Sequence, residues 1–170
     1  YGKSSSKRFS LRTKPCMNIF WLANAPKKIA EHHCDKHVVK MPLEMTQMLC
    51  TVHDRYDNDS PYKPVHQKHP CTLWIGASIE NYVLAWKVGE QLFKEYTYRY
   101  GKVHKSQSIL YSLRCPPTNL TTQGLTTRPQ AMPDIYKQPD TIQAYRSYYL
   151  GEKMYMAKWT KRNQPYWSII

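Results

Sequence analysis

No run of 18 apolar residues occurs in the 170-residue chain, so nothing in it reads as a bilayer-spanning helix. No basic amphipathic helix of the membrane-anchoring kind stands out either. There is no CxxC pair. The five cysteines, Cys16, Cys34, Cys50, Cys71 and Cys115, are scattered, which argues against a disulfide framework. They read as small buried hydrophobes in a protein of a reducing, intracellular compartment. Strand alternation is missing outside residues 18–22, and internal repeats are missing altogether. Acids are scarce: 12 Asp and Glu stand against 25 Lys and Arg, a formal net charge of +13. A surface this basic attracts polyanions, and with no membrane segment the expected partner is nucleic acid.

What is present is globular. Hydrophobic residues make up 41% of the chain and aromatics 13%, which excludes a disordered protein and suffices for one core. Residues 1–16, YGKSSSKRFSLRTKPC, carry Lys3, Lys7, Arg8, Arg12 and Lys14 and no acid. They read as a basic N-terminal arm: a transit remnant, a maturation product, an arm that orders on nucleic acid, or a solvated tail. The domain proper starts at MNIFWLAN, Met17 to Asn24, and continues to residue 170 as a single unit.

Asn24-Ala25-Pro26 predicts a helix start, with the helix running on through the histidine-rich stretch EHHCDKHVVKMPLEM, Glu31 to Met45. Pro42 predicts a kink or restart, and the helix should end near His53. Residues 54–72 read as a long loop. A second helix is expected over about 78–100, capped by Gly101, and a short one over 106–114. A proline-rich irregular segment fills 115–139. Asp140 and Gln143 have capping-box spacing before a last helix reaching about Arg162. The expected fold class is therefore mainly α: a compact single-domain helical bundle with long irregular loops.

Four constellations carry candidate chemistry. His33, His37, Lys40 and Glu44 share one helical face. His33 and His37 can bind zinc at this spacing, with Glu44, His66 or His69 completing a site; the preferred reading has no metal and no cofactor. Alternatively Glu44 is a general acid/base or charge stabiliser while Lys36, His37 and Lys40 meet phosphate, or the face is simply solvated. HPCTLW, His69 to Trp74, sets His69 at a rigid corner, as a phosphate contact or a packed turn. EYTYRYGKVHKS clusters Arg99, Lys102, His104 and Lys105 among tyrosines, which suits phosphates and stacked bases, or a basic helix end over core tyrosines. RPQAMPDIYK, Arg128 to Lys137, adds Arg128 to the candidate nucleic-acid contacts and suggests no mechanism by residue type.

Three of these segments, DKHVVKMPLE, HPCTLW and RYGKVHKS, resemble in order the phage-type pyrimidine-dimer DNA glycosylase (endonuclease V) family. His37 and Glu44 have that family's separation of a helical His from a catalytic Glu. His69, Pro70 and Trp74 resemble its second motif; Arg99, Gly101, His104 and Ser106 resemble its third. The run from MNIF to WTKRNQPYW is also similar to small phage and large-virus proteins with HCDKHVVKM and QAMP. The first resemblance implies a helical glycosylase and abasic-site lyase. An N-terminal amine would attack the sugar C1′, and Glu44 would stabilise the developing positive charge. This chain departs from the pattern at the amine, because residues 1–16 precede Met17. It departs again at LANAP, where the viral-type proteins carry LDxDP. Two expectations follow: a DNA base-excision-repair enzyme, or an inactive RNA-binding subunit of a large ribonucleoprotein such as a mitochondrial ribosome. The compartment expected is mitochondrial or viral accordingly.

Overall fold

The apolar run that opens the domain becomes neither helix nor strand. Met17, Ile19, Phe20, Trp21 and Leu22 are all buried, with Asn18 among them, so the segment threads the core with no solvent-facing side. In the computed structural model, residues 17–57 and 60–170 are described, and the basic arm 1–16 lies outside them. Among the described residues six α-helices follow: α1 Pro26–His32, α2 Asp35–Asp57, α3 Pro70–Ile75, α4 Ile79–Tyr100, α5 Gln107–Ser112 and α6 Thr141–Glu152. No strand occurs among the described residues, and the fold is mainly α. None of the described helices is long and apolar enough to cross a membrane.

α2 and α4 form the central pair. α1 packs on α4, α3 on α2, and α5 against both. Gly89 in α4 allows a close approach, since a Cβ there would lie 3.0 Å from side-chain atoms of both Met45 and Leu110. The caps follow local chemistry. Ser78 accepts from the Asn81 amide at the start of α4, and Gly101 ends that helix at φ 66°, a left-handed conformation that glycine adopts freely. Asp140 Oδ1 accepts from the Gln143 amide to start α6. Four cysteines are described and all are free thiols; Cys34, Cys50 and Cys71 are buried as small hydrophobes.

Four expectations about helix limits are corrected. The first helix does not run through the histidine stretch: it breaks at His33, whose ψ of 135° is extended. The freed Cys34 amide donates to the Tyr149 hydroxyl at 3.0 Å, so a tertiary partner replaces the helical one. Pro42, by contrast, sits inside an unbroken α2, with Thr46 Oγ1 donating to its carbonyl at 2.8 Å. That helix also continues past His53 to Asp57, and the following loop yields α3 from Pro70 onward. Finally, α6 stops at Glu152, leaving Trp159 and Arg162 on an irregular C-terminal segment.

Candidate functional site

Glu44 lies on the face of α2 that covers the opening segment. Its side chain is only 8% exposed. Oε1 is 3.3 Å from Lys40 Nζ, one turn earlier, while Oε2 is buried with no hydrogen-bond partner. Burial pushes the carboxyl above its ordinary range; Lys40, the Asn18 main chain and the His66 ring oppose this without cancelling it. His69 sits close by and caps α3, its Nδ1 accepting from the Cys71 amide at 3.1 Å. Burial lowers the pKa of His69, His66 lowers it further, and the Met17 backbone opposes them. His66 has φ 49°, a left-handed backbone in a residue that disfavours it. The structure thus assembles Glu44, Lys40, His66 and His69 around Met17 and Asn18.

Asn18 is the hinge pin of that site. Its Oδ1 accepts from the Ile19 amide at 2.8 Å and from the Tyr145 hydroxyl at 2.9 Å, and its Nδ2 donates to the Ala131 carbonyl at 2.8 Å. Tyr145 OH in turn accepts from the Ala131 amide. The QAMP motif therefore acts by backbone: it clamps Asn18 opposite α2. Residue type alone had no way of showing this, because the groups that matter in Ala131 are its N–H and C=O.

The same face of α2 carries His37, two turns before Glu44, but its environment is entirely different. His37 is stacked on Phe20 (centroids 4.5 Å, 15° between planes) and its Nδ1 lies 2.6 Å from the Tyr149 hydroxyl. Burial drives its pKa far down, so the ring is neutral. His33 is likewise buried, with Nδ1 2.7 Å from the Ile29 carbonyl and a pKa lowered to about 4 by burial. His33 and His37, the candidate zinc pair, both direct Nδ1 into core hydrogen bonds. No group of three or more His, Cys, Asp or Glu able to hold a metal occurs among the described residues.

Arg99 is placed differently from the phosphate contact expected of it. Its side chain is fully buried. The guanidinium binds Glu95 at 2.8 Å, Asp35 at 3.0 Å and the Glu31 carbonyl at 3.1 Å. A buried guanidinium requires such partners, so Arg99 ties α4 to α1 and α2 instead of facing solvent. His104 is half-buried against Phe93 and Tyr96, and its Nε2 lies 3.3 Å from the Val39 carbonyl. This docks the loop after α4 on α2. Lys102 and Lys105 are exposed on that loop, beside the turns of α2 that expose Lys36 and Lys40. Arg128 lies 4.4 Å above the Trp21 ring, half-buried and away from this cluster.

Against known proteins, the chain matches no family model, no curated protein and no solved structure. The chemistry of the site therefore rests on its residues. A desolvated carboxyl with an open oxygen, one lysine in contact and two histidines nearby can shuttle a proton and stabilise a developing cation.

Proposed function

We propose that this is a nucleic-acid-binding protein with a glycosylase/lyase-like centre at Glu44, of the base-excision-repair type. One observation carries the reading: a buried carboxyl with an unpartnered oxygen lies by the Asn18 main chain, one residue from Met17, where the resemblance to pyrimidine-dimer glycosylases calls for the amine and the acid to meet. Glu44 stabilises the positive charge that grows at the sugar as the base departs, and moves the proton in the strand-cleaving step. His66, His69 and Lys40 surround it, and Lys36, Lys102 and Lys105 supply the neighbouring positive surface for phosphates. In this chain the Met17 nitrogen is an amide to Cys16. The amine that imine chemistry needs is then Lys40: its ammonium first gives up a proton, and Glu44, 3.3 Å from Nζ, is the base placed to take it.

The same amide bond favours a second reading, in which the centre is silent and the protein is a structural RNA-binding subunit of a large ribonucleoprotein. Borohydride trapping on abasic and dimer-containing DNA separates the two. An active centre gives a covalent adduct that Lys40→Ala eliminates, and Glu44→Gln reduces turnover by at least about a hundredfold. No adduct, together with co-purification with a large RNA particle, establishes the structural role instead.

A further inference from the structure

The segment WTKRNQPYW, Trp159 to Trp167, plays no part in the Glu44 site, yet it helps build a second basic surface. Two hollows flank Arg162. One, of about 400 Å³, lies between Lys28 of α1 and Lys161 and Tyr166 of the C-terminal segment. The other, of about 390 Å³, is bounded by Lys27, Lys94 and Tyr98. Arg162 forms the wall they share: its guanidinium lies 4.0 Å above the Tyr98 ring and holds Glu95 through two bonds, of 2.9 and 3.0 Å.

The charge balance at the wall leaves cations over. Glu95 is neutralised by Arg99 and Arg162 together, Glu31 by Lys28, and Glu90 by Lys94 at 3.4 Å. Lys27 and Lys161 are exposed and pair with no carboxylate among the described residues. Two exposed tyrosines accompany them, Tyr98 at 47% and Tyr166 at 71%, with Arg162 over one side of the first ring at 4.0 Å and Arg146 over one side of the second at 5.5 Å. Lys161 itself has φ 59°, a conformation that glycine would adopt freely and lysine does not. Its carbonyl accepts from the Tyr98 hydroxyl and its Nζ donates to the Tyr98 carbonyl, both at 3.3 Å. The strained residue is thus pinned at the junction of the two hollows.

We infer that this groove, formed by α1, α4 and residues 159–167, is a second nucleic-acid site that takes single strands. Lys27 and Lys161 meet the phosphates, flanked by the pairs Lys28–Glu31 and Lys94–Glu90, and unpaired bases stack on Tyr98 and Tyr166. Lysines track a backbone of any sequence, whereas exposed ring faces accept bases only where those bases are unstacked from a duplex. The inference rests on the nucleic-acid reading above, and assigns that function to a face not containing Glu44.

The test uses the full chain and short fluorescent oligo(dT) and oligo(rU), with duplex of equal length as competitor. Lys161→Gly removes the cation and relieves the backbone, so its melting temperature should equal or exceed that of the unsubstituted protein. Its single-strand affinity should fall, and the slope of log affinity against log salt should drop by about 1. Tyr166→Ala should weaken oligo binding roughly tenfold. Unchanged single-strand binding in both variants, with binding intact in the unsubstituted protein, overturns the groove and leaves nucleic-acid binding standing. No binding by the unsubstituted protein overturns both.

Discussion

At the scale of single residues, this protein places titratable groups where water is excluded and lets the surroundings set their charge. Glu44 has a raised folded pKa, so its protonated form favours the fold. That contribution is fully present below the ordinary value of 4.5 and is lost as pH rises through the folded pKa. At neutral pH the ionised carboxyl weakens the structure. Glu44→Gln should therefore melt higher than the unsubstituted protein at pH 7, by ~2–4 °C if about 1 kcal/mol is relieved, with the gap closing near pH 4. His33 and His37 act in the opposite sense. Their folded pKa values are lowered, so stability is present above the ordinary 6.5 and falls as pH drops, through about 4 for His33 and lower still for His37. Denaturant titrations of His37→Phe should show a shallower acid limb than the unsubstituted protein. An equally steep limb would show that these rings do not govern acid unfolding.

At the scale of elements, the helices were legible wherever one face was apolar and the caps were local. Ser78 and Gly101 bracket α4, and Asp140 with Gln143 starts α6, because those signals act within a few residues. The break at His33 was not legible. The bond that permits it comes from Tyr149, 115 residues further along the chain. Pro42 misled for the converse reason: burial in a long helix outweighs one missing donor. The candidate site divides the same way. Glu44 and its helix neighbour Lys40 follow from helical spacing, whereas Asn18, Tyr145 and the backbone of Ala131 join only in three dimensions. The Arg99 tie belongs to this scale as well. Arg99→Met leaves Asp35 short of one partner and Glu95 dependent on Arg162 alone, so the domain should lose about 3 kcal/mol in urea unfolding.

For the whole molecule, charge is the dominant property. A net +13 gives a field that attracts polyanions before any specific contact forms. Affinity for single strands should fall steeply and log-linearly with salt, and filter-binding isotherms between low and physiological salt measure this directly. A weak salt dependence would mean that stacking, not phosphate neutralisation, dominates. The positive surface is divided. One part lies along α2 and the loop after α4, beside Glu44; the other lies across the C-terminal segment.

The Asn18 clamp has a consequence for the order in which the chain can be made. Its partners, Ala131 and Tyr145, are 113 and 127 residues away in sequence. During synthesis from the N-terminus, α2 and Glu44 emerge early, but the wall opposite them has nothing to fasten it until α6 has left the ribosome. The Glu44 cluster is thus among the last features to be completed, and its completion is a long-range event with the slow rate that large loop entropies impose. A nascent chain stalled before Tyr145 carries every side chain of the Glu44 cluster and no finished site.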